Sequence, residues 1–181
     1  MDQDLELIAK FKSGDLGGFE MLVKKYQNMV VNVVYSLTAN RHDAEDIAQD
    51  VFMKVYHNIS SFRAEAKFSS WLYRIAVNTS YDYLRRNKLK PVSIDEFENF
   101  DIADTRQNGD LLAQELVQQA LTKIPYEYRS ALVLKEIEGL YYQEIAEALK
   151  ISIGTVESRI FRGRQMLKDI LSKKGVFKNE M

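Results

Sequence analysis

Apolar residues recur at helical spacing along almost the whole chain, and this periodicity stops only once. It runs through two sets of segments: residues 3–12, 15–38, 43–59 and 68–87, then about 110–123, 126–138, 141–149 and 153–172. Between the sets lies an acidic stretch with Pro91 near its start and Gly109 at its end. The pattern predicts an all-α protein with two small helical domains, residues 1–92 and 111–181, joined by a flexible acidic linker at 93–110.

Composition narrows the class of protein further. The 181 residues contain no cysteine, which excludes disulfides and thiolate metal sites. The N-terminus carries Asp2, Asp4 and Glu6 where a secretory signal would be basic and then apolar. No apolar stretch approaches the roughly 20 residues that a membrane-spanning helix needs. We therefore expect a cytoplasmic protein.

Charge is strongly segregated although the formal net charge is only -1. Residues 85–90 contain four cations and no acid, residues 95–115 contain seven acids against Arg106, and residues 150–174 contain seven cations against Glu157 and Asp169. Two basic regions separated by an acidic one predict two nucleic-acid contacts joined by a linker that does not touch phosphates.

The stretch 142–168 is typical of a helix-turn-helix, with two short helices around a tight turn and a basic second helix. One face of the second helix is apolar and comprises Val156, Ile160, Gly163 and Leu167. Another face offers hydroxyls and guanidinium groups for a DNA groove, from Thr155, Ser158, Arg159 and Arg162. Ser152 is the expected N-cap, and Arg164 and Lys168 are placed to touch phosphates. The alternative is a helical hairpin with a solvated basic face.

The helix predicted at 43–59 has an apolar face opposite an acidic one. The acidic face carries Asp46, Asp50, Met53 and His57. Two carboxylates one turn apart are compatible with a metal or acid–base site, but no third ligand stands at a recognisable spacing. A solvated face and a docking stripe for a basic partner remain as alternatives.

The helix predicted at 68–87 places rings and cations together on its outer face, namely Trp71, Arg74, Asn78, Tyr81 and Arg85. Such a face suits unstacked bases, because stacking stabilises each base by about 1 to 3 kcal/mol whatever its sequence. The polar loop 60–67, with Phe62, would border this surface. The competing interpretation is that Trp71 and Tyr81 are partly buried at a domain surface.

Three segments together resemble the bacterial RNA polymerase sigma factors of the extracytoplasmic-function type, two-domain members of the sigma-70 family. Residues 43–52 are similar to the core-polymerase-binding helix of that family, 68–78 to its promoter-melting segment, and 152–164 to its upstream-element recognition helix. The resemblance covers about residues 15–90 and 112–173. Glu157 departs from a position that is frequently basic in the family.

The resemblance implies a role for each surface. It implies that the clamp helices of the largest polymerase subunit are contacted by Asp46, Gln49, Asp50, Phe52 and Met53. For promoter melting and the -10 element it implies Phe62, Lys67, Trp71, Arg74, Asn78, Asp82, Arg85, Arg86 and Lys88. For the -35 element it implies Ser152, Thr155, Ser158, Arg159, Arg162 and Arg164. The linker would thread toward the RNA exit path.

By this resemblance the chain directs promoter-specific initiation by core polymerase and performs no catalysis of its own. It implies no cofactor, metal or small-molecule substrate. Its partners would be the clamp helices and flap of polymerase, promoter DNA, and an anti-sigma factor that is frequently membrane-anchored in the family.

Two other functions remain to be weighed. A stand-alone helix-turn-helix regulator would bind duplex DNA without polymerase, but the sequence offers no evident dimer interface or ligand domain. A helical hydrolase built on Glu45, Asp46 and Asp50 with His42 or His57 lacks ligand spacing between its histidines.

Overall fold

The computed structural model describes residues 2–88 and 109–173, and within them it contains helices and no strand, as the sequence predicts. The helices are α1 Gln3–Lys12, α2 Leu16–Thr38, α3 Arg41–Asn58, α4 Phe68–Lys88, α5 Gly109–Thr122, α6 Tyr126–Glu136, α7 Tyr142–Leu149 and α8 Ile153–Lys173. A short 3-10 turn, Ile59–Ser61, follows α3. Most of the predicted linker, residues 93–108, lies outside the described residues.

Side-chain caps set the starts of several helices. The carboxylate of Asp15 accepts a hydrogen bond from the Gly17 amide at 2.9 Å, and α2 begins between them. Asn40 Oδ1 accepts from the amides of His42 and Asp43 at 3.0 and 3.2 Å. Because Asn40 caps α3, the helix begins at Arg41, two residues before the predicted start.

The helix α6 ends two residues before its predicted end at residue 138. Its last residue is Glu136, and Gly139 follows with a φ of 69°, in the left-handed region that glycine adopts without strain. The amide of Leu140 then donates to the carbonyl of Leu134 at 3.1 Å, which closes the turn toward α7. The apolar periodicity of the sequence does not reveal this turn, because Ile137 extends the helical pattern past the last residue of α6.

The N-terminal half is built around α2, which packs on α1, α3 and α4. Its fully buried side chains include Leu22, Val30, Val33, Leu37, Ile47, Val51 and Leu72. Gly18 lets α1 cross α2 closely, since a Cβ there would overlap the carbonyl oxygen of Leu7.

The C-terminal half packs α8 across α5, α6 and α7. Its core includes Leu132, Leu134, Ile145, Val156 and Ile160. Gly163 faces α6 at the helix crossing, where a Cβ would lie 3.3 Å from the carbonyl oxygen of Tyr128.

The two halves also pack on each other, with α4 against α7 and α2 against α5 and α6. Arg129 of α6 connects them. One nitrogen, Nη1, donates to the Leu37 carbonyl at the end of α2 at 2.6 Å, and Nη2 donates to the carbonyls of Thr122 and Ile124 at 3.0 and 3.1 Å. Burial lowers the pKa of Arg129, and the three carbonyl acceptors satisfy its donors.

Candidate nucleic-acid and protein interfaces

The helix α8 presents the two faces that the sequence predicts. Val156, Ile160 and Gly163 are buried, and Leu167 is half-buried. On the opposite side Ser158 and Arg162 are exposed, whereas Thr155 and Arg159 are partly covered. Ser152 Oγ accepts from the Thr155 amide at 3.1 Å, so Ser152 is the N-cap.

Acidic and phenolic groups of α6 contact the guanidinium groups of this helix. Arg164 donates to Glu136 Oε1 from Nε at 2.9 Å and from Nη2 at 2.6 Å, and this hydrogen bonding raises the pKa of Arg164. Arg159 lies 3.8 Å from a carboxylate oxygen of Glu127. Exposed ion pairs of this kind contribute little to stability, so a phosphate can displace the carboxylate at small cost.

The outer face of α4 agrees with the sequence only in part. Asn78, Tyr81 and Arg85 are exposed. Trp71 is half-buried, and its ring packs 5.4 Å from that of Phe62 and 5.7 Å from that of Phe68. Trp71 is therefore the edge of an aromatic cluster, not an isolated stacking platform.

Phe62 lies in the core, with 8% of its surface exposed. Its carbonyl accepts from Lys12 Nζ at 3.1 Å, which fixes the start of the loop that leads to α4. At the other end of this loop Lys67 Nζ donates to Glu144 Oε1 of α7 at 2.7 Å. In this conformation Phe62 thus acts by positioning the loop, and Lys67 is bound to the C-terminal half.

The basic end of α4 carries its own internal contacts. Arg85 Nη2 lies 3.6 Å from Asp82 Oδ1, and Arg86 Nε donates to the Asp82 carbonyl at 3.2 Å. Both guanidinium groups are exposed. Lys88 is the last residue of α4, and its side chain is outside the described part of the chain.

The acidic stripe of α3 borders an apolar groove that the sequence did not predict. The groove has a volume of about 440 Å³ and lies between α2 and α3. Its lining includes Phe19, Val23 and Val31 of α2 and Gln49, Phe52 and Met53 of α3. The helical spacing of the α2 residues was visible in the sequence, but spacing alone does not distinguish a groove wall from a core face.

The carboxylates of the stripe point to solvent. Asp46 and Asp50 are exposed, and His42 Nδ1 lies 3.7 Å from an Asp46 carboxylate oxygen. A backbone hydrogen bond and then the Asp46 carboxylate raise the pKa of His42. Among residues 2–88 and 109–173, no three acidic or histidine side chains converge to hold a metal ion. No helix in those ranges is long and apolar enough to cross a membrane.

Comparison with known proteins matches both halves of the chain to one family. Residues 22–90 match the model of sigma-70 region 2, and residues 114–167 match that of sigma-70 region 4. The chain is 38% identical to the ECF RNA polymerase sigma-E factor of Haemophilus influenzae, over 92% of this chain and 94% of that protein. The chain belongs to the ECF RNA polymerase sigma factors.

Other relatives agree with this assignment. The ECF sigma factor SigW of Bacillus subtilis is 38% identical to the chain, over 89% of this chain and 92% of that protein. Among solved structures, CnrH in complex with the cytosolic domain of CnrY has a TM-score of 0.74 and 27% identity, and the match covers 95% of this chain and 99% of CnrH. The sigma factor RpoE of Bartonella quintana, in complex with the anti-sigma factor NepR, has a TM-score of 0.67 and 26% identity, covering 85% and 96% of the two chains.

As a sigma factor, the protein binds core RNA polymerase and directs promoter-specific transcription initiation. Sigma factors are initiation factors without an enzymatic activity of their own, so the carboxylates of α3 are assigned no catalytic role. The relatives match nearly the full length of the chain, including the segments matched by both sigma-70 models, which disfavours a regulator that works without polymerase.

Proposed function

We propose that the two halves are functional domains with separate tasks. Residues 1–92 bind core polymerase, melt the promoter and recognise the -10 element, residues 93–110 form the linker, and residues 111–181 recognise the -35 element. The two family models support this division, because they match residues 22–90 and 114–167 separately. The linker's acids mimic nucleic acid near the RNA exit path.

The groove and acidic stripe of α3 dock on the clamp helices of the largest polymerase subunit. Asp46 and Asp50 provide an exposed acidic edge, while Phe52 and Met53 offer apolar surface. Met53 is 57% exposed and lines the groove together with Phe52, so the apolar surface there is continuous. Charge complementarity sets the orientation of such a complex and apolar burial stabilises it, with Gln49 lying between the two kinds of surface.

The loop before α4 and the outer face of α4 open and hold the non-template strand at the -10 element. The residues of this surface are Phe62, Lys67, Trp71, Arg74, Asn78, Asp82, Arg85, Arg86 and Lys88. Flipping a base costs a few kcal/mol, and a pocket bordered by rigid rings offsets this cost. The packing of Phe62 and Phe68 against Trp71 supports the proposal, since it holds the exposed edge of the indole in place.

The helix α8 enters the major groove of the -35 element. Thr155, Ser158, Arg159 and Arg162 face the bases, and Arg164 binds a phosphate. Ser152 caps the helix, so that its first turn approaches the backbone of DNA with ordered amides.

Two further partners follow from the same surfaces. The polymerase flap binds the C-terminal domain, and an anti-sigma factor occupies the surfaces that would otherwise bind polymerase. The complexes of CnrH with CnrY and of RpoE with NepR support the second partner. We extend the proposal to a membrane-anchored anti-sigma factor that holds this otherwise cytoplasmic protein inactive. The function needs no cofactor, metal or small-molecule substrate.

One observation carries the proposal: a single chain combines an apolar groove with an acidic border, an α4 face of rings and cations, and a capped basic helix. Run-off transcription with core polymerase lacking other sigma factors, on a library of promoters, tests it. We expect initiation at a subset of templates that share sequence near -10 and -35. Initiation at random sites, or none, would contradict the proposal.

A further inference from the structure

The chain carries its sulfur in methionine alone, because the sequence contains no cysteine. Of its six methionines, the structure describes Met21, Met29, Met53 and Met166. Met29 and Met166 are half-buried, whereas Met21 is 53% exposed and Met53 is 57% exposed. Oxidation of a thioether requires contact with the oxidant, so Met21 and Met53 are the described methionines that a dissolved peroxide reaches most easily.

These two exposed methionines lie on different surfaces of the N-terminal half. Met53 lines the apolar groove between α2 and α3 together with Phe52. On the α2 side, Phe19 and Val23 line the groove, and each lies two positions away from Met21. Two positions correspond to a rotation of about 200° around a helix, so Met21 lies on the side of α2 that faces away from the groove. The two thioethers therefore differ in location and hardly in exposure.

Oxidation would change the chemistry of the groove at Met53. A thioether is a flexible apolar group, whereas its sulfoxide is polar and accepts hydrogen bonds. Most of the groove lining is apolar and includes Phe19, Val23, Val31 and Phe52. A partner that buries this surface would enclose the sulfoxide oxygen mainly among carbon atoms, and burying a polar group without a hydrogen-bond partner is unfavourable.

The free protein should tolerate the same change. Met53 is 57% exposed, so a sulfoxide oxygen there stays hydrated as long as no partner covers the groove. Its cost therefore falls on the complex and not on the fold. A bound partner would also cover the thioether, so oxidation acts on the protein that is free of polymerase.

We propose that Met53 is a reversible oxidation site whose sulfoxide weakens the binding of the protein to core polymerase. The inference rests on the proposed function, which docks the groove on the clamp helices of polymerase. With hydrogen peroxide, the sulfur lone pair attacks one oxygen, an S–O bond forms and the O–O bond breaks. The proton of the transferred hydroxyl moves to the departing hydroxide, so that water leaves, sulfur is oxidised and the peroxide is reduced. Methionine sulfoxide reductases, acting with a thiol reductant, restore the thioether.

Peroxide treatment of matched variants tests the proposal. Native protein, Met53→Leu and the control Met21→Leu are each compared with their own untreated sample. Mass spectrometry of proteolytic peptides measures the oxidised fraction of each methionine, and fluorescence anisotropy measures the affinity for core polymerase. We expect oxidation to weaken binding about tenfold in the native protein and in Met21→Leu, and at most about twofold in Met53→Leu, which has no sulfur at the groove.

Reversal by reductase completes this experiment. Treatment of the oxidised native protein with reductases for both sulfoxide epimers should restore its original affinity. Equal weakening of the native protein and Met53→Leu would overturn the inference, because another residue would then be responsible. Met53 that stays reduced while Met21 is oxidised would overturn it as well.

A polar substitution gives the same test without an oxidant. Met53→Gln places an amide where the sulfoxide would lie, and Met21→Gln makes the same change on the other side of α2. We expect Met53→Gln to bind core polymerase about tenfold more weakly than Met21→Gln, with the same urea unfolding midpoint as native protein. Equal affinities of the two variants would contradict the proposed effect of a polar group in the groove.

Untreated Met53→Ala separates this inference from the proposed function. If this variant binds core polymerase as tightly as native protein, the groove is not the docking surface, and both the proposed docking and the oxidation site are wrong. If the variant binds more weakly while native protein with oxidised Met53 keeps its full affinity, the docking surface stands and the oxidation site alone is wrong.

Discussion

At the scale of single residues, Gly18 has no room for a side chain. A Cβ there would overlap the Leu7 carbonyl oxygen and lie 3.0 Å from the backbone nitrogen of Phe11. We expect Gly18→Ala to lower the free energy of unfolding by about 1 to 3 kcal/mol, because α1 must shift away from α2. Urea denaturation followed by circular dichroism measures the change.

The matched control is Gly154→Ala, at a helical position where no atom lies within 4 Å of the added carbon. This variant should be more stable than the native protein by about 0.5 to 1 kcal/mol, because alanine favours the helix. If both variants lost equal stability, crowding at the crossing of α1 and α2 would not be the cause.

A second residue-scale prediction concerns Arg159. Among the described residues, Arg159 has one ion pair, a 3.8 Å contact with Glu127. The fold should therefore tolerate Arg159→Ala. We expect the variant to weaken binding of the cognate -35 duplex by about 1 to 3 kcal/mol, the usual value of a bidentate base contact. Titration of cognate and scrambled duplexes measures the difference. Equal weakening on both would make Arg159 a phosphate contact.

At the scale of elements, the proposed docking role of α3 should be separable from its contribution to the stability of the fold. Asp50 is exposed and follows Gln49, which lines the groove, so Asp50→Lys should leave the unfolding transition unchanged. We expect at least about a tenfold loss of affinity for core polymerase, since the substitution places a cation where complementarity requires an acid. The control is Glu115→Lys, which also replaces an exposed carboxylate by a cation, but on α5. Fluorescence anisotropy of labelled protein is the measurement. Unchanged affinity of Asp50→Lys would remove the stripe from the interface.

Helices and their apolar faces were predictable from sequence because periodicity is a local signal. The buried residues of α8, Val156, Ile160 and Gly163, lie where that signal places them. What periodicity missed depends on residues distant in sequence. The packing of Phe62 into the core and the α2 wall of the groove arise only when helices meet, and no spacing within one helix encodes them.

At the scale of the whole molecule, the docking of the halves was not predictable either. Glu138 and Tyr73 are 65 residues apart, and neither belongs to a recognisable motif. The acidic linker separates the two helical sets in sequence, which suggests independent domains. The linker says nothing about whether the halves touch, because contact depends on surface complementarity.

The stability of the contact between the two halves should depend on pH, because Glu138 accepts a hydrogen bond from Tyr73 Oη at 2.9 Å there. Burial raises the pKa of Glu138, which the hydrogen bond from Tyr73 only partly offsets, while the ion pair with Lys67 lowers the pKa of neighbouring Glu144. A raised pKa means that the folded state binds the proton more tightly than the unfolded state. The contribution of Glu138 to stability is therefore present at acidic pH and lost as pH rises through its raised pKa.

Glu138→Gln keeps an acceptor for the Tyr73 hydroxyl and removes the charge. We expect it to be more stable than the native protein near pH 7 and to show a shallower fall in unfolding free energy as pH rises above the ordinary pKa of a glutamate, about 4.3. Chemical denaturation at several pH values measures both, with Glu147→Gln, an exposed site on α7, as the control. A slope identical to that of the native protein would rule out Glu138 as the titrating group.

The bond between Arg129 and the Leu37 carbonyl joins residues that are 92 positions apart. On the ribosome, α2 is therefore complete well before the arginine that caps its last turn has been made. At about 5 to 20 residues per second, the interval is roughly 5 to 20 s. During that time the newly made N-terminal helices have no other half to fold against, so the Leu37 carbonyl at the end of α2 lacks the donor that it has in the finished molecule.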